Sequence, residues 1–100
     1  MMQTHSITLG RNIPNSGTVT NQMWMAFLKD EVCTSLEYCT VTDGIGIYKG
    51  ELEQCKIISV QTNDSKVVDA LKDIGASYKK QFNQECILYS TTENPSFVLT

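Results

Sequence analysis

Histidine is almost missing from this chain: His5 is the only one among 100 residues. A Ser-His-Asp or Cys-His arrangement needs an imidazole beside a nucleophile, and one histidine five residues from the start offers little for it. His5 reads more naturally as a strand residue. Cys33, Cys39, Cys55 and Cys86 contain no CxxC pair. Zinc sites usually bring two ligands close together in sequence, so neither a metal nor a cofactor is expected. The four read as small buried or half-buried hydrophobes. Cys39 and Cys55 face each other in an expected hairpin and come within bridging reach there in an oxidised preparation.

Long apolar runs are also lacking, which argues against a membrane span. Met1-Met2-Gln3-Thr4-His5 leads straight into a strand pattern, with neither the charged nor the apolar region of a secretory leader. A cytoplasmic location is the expectation, and with it no disulfide framework. Charge is sparse: charged residues make up 19%, and the net charge is −3. That balance argues against duplex nucleic acid, where affinity comes from many neutralised phosphates. It leaves room for a small anionic ligand, because a pocket needs only a few local donors. Repeats, linkers and low-complexity tracts are absent, and a chain of this length builds one core, so residues 1–100 read as a single domain. The apolar fraction, 41%, is slightly low and fits a face lent to a partner subunit.

What is present sorts cleanly by period. Gln3 to Leu9 alternates, with His5, Ile7 and Leu9 on one face, as in a half-buried strand. A loop rich in Gly, Asn and Pro follows, carrying Arg11, the chain's one arginine. Thr20 suits an N-cap, with Val19 as a staple behind it. Beyond it Trp24, Phe27, Leu28, Val32 and Leu36 recur at helical steps. Tyr38 to Lys49 is rich in β-formers, and Gly44 and Gly46 mark a bend within one strand. Gly50 to Glu53 reads as the hairpin connection and Cys55 to Thr62 as a central strand. Asn63-Asp64-Ser65 caps a second helix with Val67, Val68, Leu71, Ile74, Tyr78 and Phe82 on its stripe. Gly75 within that helix points to close packing on the sheet. Gln84 to Thr92 reads as the last main strand. Asn94-Pro95 then turns the chain toward a short strand at Phe97-Val98-Leu99.

The order βαββαβ with a tail predicts a ferredoxin-like α+β sandwich: a four-stranded antiparallel sheet with two helices on one face. Ile58, Val60 and Ile45 or Ile47 cannot all point at the helices, so a homodimer or higher homo-oligomer joined through the sheet is expected.

Three stretches carry a resemblance. They are Leu9-Gly10, Ile13-Pro14, Gly17, Val19-Thr20, Trp24, Phe27-Leu28 and Glu31-Val32; then Thr40-Val41-Thr42-Asp43-Gly44 with Gly46 and Tyr48; then Tyr78 to Cys86 around Phe82 and Gln84-Glu85. In this order they resemble a small domain-of-unknown-function family found as bacterial secreted or lipoprotein-like proteins and as phage-encoded cytosolic ones. The resemblance spans roughly residues 6–92 and implies the same ferredoxin-like fold. Tyr48 stands where secreted members usually carry Trp, and no signal peptide is expected, so the resemblance is closer to the phage-type members.

The candidate ligand residues are Arg11, Asn12, Asn15, Asp43, Tyr48, Lys79, Gln84, Glu85 and Tyr89. Arg11 either grips a phosphate or carboxylate, with Asn12 and Asn15 completing the anion site, or ties Asp43 or Glu85 in place. Gln84 and Glu85 at a helix-to-strand junction either read a base or hydroxyl edge or satisfy loop amides. Lys79 and Lys80 suit the helix C-terminus, with phosphate contact as the alternative. Tyr48 and Tyr89 are the aromatics placed for stacking; Trp24 and Tyr78 lie on helical stripes and read as core. Gly44-Ile45-Gly46 is not a phosphate loop, since it lacks a third glycine and a following Lys-Ser/Thr helix.

The leading expectation is a non-enzymatic oligomer enclosing a small anionic, nucleotide-type ligand. The phage-type resemblance implies capture of a host immune signal, such as a cyclic nucleotide or cyclic ADP-ribose derivative. The alternatives are a small dimeric α+β-barrel enzyme of monooxygenase or isomerase type, using His5, Asp43, Tyr48 and Glu85 as acid/base groups, and a structural phage dimer.

Overall fold

The computed structural model describes residues 2–93. The turn at Asn94-Pro95 and the strand expected at Phe97-Val98-Leu99 lie outside the described residues. The chain runs β1 (Gln3–Gly10), a small hairpin of β2 (Asn12–Ile13) and β3 (Gly17–Thr18), then α1 (Asn21–Phe27). A π turn over Leu28–Val32 leads into a last helical turn, α2 (Cys33–Ser35). The long hairpin of β4 (Thr40–Tyr48) and β5 (Glu51–Thr62), α3 (Ser65–Gln81) and β6 (Leu88–Glu93) follow. The four main strands pair antiparallel in the order β4-β5-β1-β6. This is the expected ferredoxin-like α+β arrangement.

The helix caps form as the residue types dictate. Thr20 Oγ1 accepts from the Met23 amide at 3.1 Å, and Asp64 Oδ1 accepts from the Lys66 amide at 2.9 Å. The first helix departs from a regular α-helix at Leu28–Val32, where the Cys33 amide bonds back to the Leu28 carbonyl. Such a wider turn sets residues five apart on one face, which brings both Phe27 and Val32 into the core. They join Trp24, Leu36, Leu71, Ile74, Tyr78 and Phe82 over Ile7, Leu9, Ile58 and Val60.

β4 is one strand, as the glycine pattern indicated, but its turn is tighter than expected. Lys49 and Gly50 both take positive φ, 51° and 80°, and pair Tyr48 with Glu51. Two left-handed turn residues match the twist of the flanking strands, so β5 begins at Glu51 and not at Cys55. Gly10, the last residue of β1, pairs with Cys55. Residues 45–54 therefore run past the end of β1 as a two-stranded arm.

This arm corrects the expectation about the sheet face. Ile58 and Val60 are two apart and both point at the helices, 0% and 2% exposed. Ile45 and Ile47 share their side of the sheet but lie beyond the last residue of β1, 73% and 76% exposed. The face opposite the helices carries hydroxyls, including Ser6 and Ser59, whose Oγ atoms bond at 2.9 Å. The apolar surplus therefore sits on the arm. The cysteine expectations also change. Cys55 pairs with Gly44, leaving Cys39 far along the hairpin, and Cys33 and Cys86 are exposed; all four are free thiols.

Candidate functional site

Four segments meet at the end of β1. Beneath it, the buried Tyr78 of α3 donates its hydroxyl to the Gly10 carbonyl at 2.7 Å and fixes the strand end to the helix. Burial pushes that hydroxyl's pKa well up, so it stays protonated as a donor. Above Gly10 lies the Glu53 carboxylate of the arm, whose atoms come within 2.6–2.8 Å of where a Cβ would stand. Any other residue at position 10 would displace it. Glu53 Oε2 also accepts from the Asn12 amide at 3.0 Å.

The third segment arrives through the end of α3. The Gln84 amide bonds to the Lys79 carbonyl at 2.9 Å, with Asn83 between them at φ 52°. This is a Schellman-type stop with Asn in the left-handed position, and it turns the chain sharply off the helix. β6 consequently starts at Leu88, four residues later than expected from Gln84. Gln84 Nε2 then donates to the Asn12 carbonyl at 3.0 Å and to the Phe82 carbonyl at 3.2 Å. Next to it, Glu85 Oε2 accepts from the Tyr48 hydroxyl at 2.7 Å and from Lys49 Nζ at 3.4 Å. The Tyr48 hydrogen bond, then Lys49, hold the Glu85 carboxyl below the usual carboxylate range. The same bonds push Tyr48 and Lys49 upward.

Arg11 follows Gly10, and its guanidinium is mostly committed to its own loop. Nε and Nη2 donate to the Val19 carbonyl at 3.0 and 2.7 Å, and Nη2 also reaches Asn21 Oδ1 at 2.9 Å. Its tie is thus to Val19 and Asn21, not to Asp43 or Glu85. It still lines a cleft of about 360 Å³ with Asp43, Gly44, Ile45, Gln54 and Cys55.

Of the residues singled out from sequence, Asn12 is bonded by Gln84 and Tyr48 by the neighbouring Glu85, while Arg11 and Asp43 line the cleft. Asp43 pairs with Lys56, whose ammonium lies 5.7 Å from the Trp24 ring centre. Tyr89 turns the other way along the sheet, bonding His5 Nδ1 at 2.6 Å beneath Lys72. Asn15 occupies the exposed tip between β2 and β3, at φ 63°, and Lys79 is exposed on α3. Glu53 is the residue that sequence reasoning missed. It reads as part of a turn, and only the glycine at position 10 hints that something must approach there. Among the described residues no three His, Cys, Asp or Glu side chains converge as a metal site, and no helix is long and apolar enough to cross a membrane.

Fold and side chains together define a ferredoxin-like α+β protein with linked polar groups at the end of its first strand. The chain belongs to the family described as "Protein of unknown function (DUF3574)", whose model matches residues 4–97. No curated protein matches it. Among solved structures, it is similar to a phage SAM lyase in complex with S-methyl-5′-thioadenosine, with TM-score 0.66 and 18% identity over 92% of this chain and 81% of that one. The phage SAM lyase in its apo state gives TM-score 0.67 at 18% identity, over 90% and 78% of the two chains. The de novo designed protein Foldit4 gives 0.60 at 15% identity, over 95% and 100%. At these identities the shared property is the fold, which hosts unrelated chemistries.

Proposed function

We propose that the protein binds a small nucleotide-like molecule at the end of β1 and holds it intact. The observation that carries this reading is the pair of linked polar chains at the end of β1, beside the cleft that Arg11 lines. Glu53, Asn12 and Gln84 form one, and Tyr48, Glu85 and Lys49 form the other. They join segments distant in sequence, and Tyr48, Lys49 and Glu85 are exposed. Pre-set donors and acceptors around a concave opening are how proteins orient small ligands. The solved phage SAM lyase of the same fold, with its bound S-methyl-5′-thioadenosine, adds support for a nucleoside-type ligand. Arg11, bordering the cleft, favours a negative group on it. In a phage, such a protein removes a host immune signal from solution, a cyclic nucleotide or a cyclic ADP-ribose derivative. The reading includes a homodimer or higher homo-oligomer and a cytoplasmic location.

One observation favours a second reading. The acid/base candidates His5 and Asp43 are drawn away to Tyr89 and Lys56, yet Tyr48 and Glu85 share a 2.7 Å hydrogen bond. In a fold shared with a phage SAM lyase, that pair suits a lyase that breaks its ligand. Incubation with cyclic nucleotides, cyclic ADP-ribose and S-adenosylmethionine, followed by repurification, heating and mass analysis, separates the two. Binding predicts release of the intact compound. A cleaved product, released on heating or found in the incubation medium, contradicts it in favour of the lyase; intact compound left wholly in the medium contradicts both.

A further inference from the structure

The arm of residues 45–54 leaves the body with one bare side. Strand alternation puts Tyr48, Glu51 and Glu53 on one side of it and Ile45, Ile47, Leu52 and Gln54 on the other. The first side is tied down, Tyr48 to Glu85 and Glu53 to the Asn12 amide. On the second, Ile47 stands opposite Leu52, with Ile45 two residues nearer the body, and all three are largely exposed. A two-stranded ribbon is marginal alone in water and gains from being covered.

The same arm carries an outer edge of the sheet. β4 ends the strand order, so among the described residues its outward amides and carbonyls face no neighbouring strand. Proteins guard such edges with proline, lysine, a bulge or a short strand. Thr40–Tyr48 has no proline or lysine, and all nine residues pair with β5 in unbroken register. β6, the other edge, is shorter and ends in Ser90, Thr91, Thr92 and Glu93.

Reach, charge and symmetry decide what covers this surface. The seven residues after Glu93 start beside Gln3, at the far end of β1. They span at most about 25 Å, and β1 alone runs about 23 Å. The arm lies beyond Gly10 and across two more strands, out of their reach. The net charge of −3 is no barrier to self-association here, because Asp43 and Lys56 on the aliphatic side neutralise each other. An antiparallel strand is its own mate under two-fold rotation. β4 laid against β4 of a second copy extends both sheets and sets Ile45 and Ile47 of each on one shared face, where β-branched neighbours cover one another. We propose that the β4 edge and its aliphatic arm form an isologous interface with a second copy of this chain. The proposal rests on the homo-oligomer of the proposed function, whose surface it names, and not on the ligand.

Sedimentation equilibrium at micromolar concentration tests it on the wild type, Ile45→Lys, Ile47→Lys and Leu88→Lys, with circular dichroism as the fold control. Leu88 is an exposed aliphatic residue on the opposite edge. The expected result is twice the chain mass for the wild type and Leu88→Lys, and the mass of one chain for Ile45→Lys and Ile47→Lys at unchanged spectra. Hydrogen exchange on the wild type reads the same edge without any substitution: outward amides of Thr40–Tyr48 should exchange about tenfold slower in concentrated than in dilute protein. A monomeric wild type, an odd-numbered assembly, Ile45→Lys and Ile47→Lys variants that stay dimeric, a dimer lost equally in Leu88→Lys, or β4 exchange that ignores concentration each overturn the interface. None of these outcomes touches the ligand reading, which the mass analysis of released compounds decides separately.

Discussion

Arg11 shows how a single residue decides between two accounts. Its guanidinium donates to the Val19 carbonyl and Asn21 Oδ1, and Val19 is the buried residue just before the helix cap. Arg11→Ala therefore lowers stability, by about 1.5–3 kcal/mol if these act as ordinary hydrogen bonds to a charged group. Lys at this position restores only part, since an ammonium cannot reproduce the planar fork. Melting temperature and ligand affinity on the same variants check this. A melting temperature unchanged by Arg11→Ala contradicts the structural tie. The Glu85 carboxyl makes a second prediction at this scale. Its pKa is lowered in the folded chain by the Tyr48 hydrogen bond and Lys49, so its contribution is present above the ordinary carboxylate range. It is lost as pH falls through the lowered folded value. Tyr48 and Lys49 are raised, so their contribution is present below their ordinary values and lost as pH rises through the folded ones. NMR titration of the Tyr48 ring should show the contact intact across neutral pH and released in acid. In Glu85→Gln the acid step disappears.

At the scale of elements, α3 carries its own test. A Cβ on Gly75 would meet Ile87 Cγ2 at 3.4 Å and the Ile7 side chain at 3.8 Å, which is ordinary contact. Close packing is present, as the sequence suggested, but a methyl group fits. Gly75→Ala should stabilise the protein by about 0.5–1 kcal/mol through helix propensity, read as a higher denaturant midpoint. A lower midpoint means the helix cannot accept the methyl against the sheet. Elements governed by local chemistry were legible in the sequence: the Thr20 and Asp64 caps, the helical stripe of Leu71, Ile74 and Tyr78, the continuous β4. Elements set by tertiary fit were not. The π turn at Leu28–Val32 answers where Val32 must land in the core. The late start of β6 follows from Asn83, an uncommon left-handed residue, and not from any break in the β-rich pattern. The site divides the same way. Tyr48, Gln84 and Glu85 announce themselves as polar groups at turns and junctions. Glu53 acquires its place only because Gly10, far away in sequence, leaves room for it.

For the whole molecule, the core ties both helical stretches to the sheet through one aromatic cluster. The Phe27 ring centre lies 5.2 Å from that of Tyr78, and Tyr78 lies 4.8 Å from Phe82. Phe27 and Leu71 are 1% and 0% exposed, so Phe27→Ala or Leu71→Ala should each cost about 2–5 kcal/mol. Either variant melting like the wild type contradicts the assigned helix faces. This packed body holds up the end of β1 through Tyr78, while the arm and the end of α3 bring their polar groups to it. The central claim, that this end of the sheet is the ligand site, is tested most directly by mapping backbone amide shifts while titrating cyclic nucleotides and cyclic ADP-ribose. The account predicts saturable shifts at Gly10, Asn12, Tyr48, Glu53, Gln84 and Glu85. Shifts centred on His5 and Tyr89, or none at any of these residues, would contradict it.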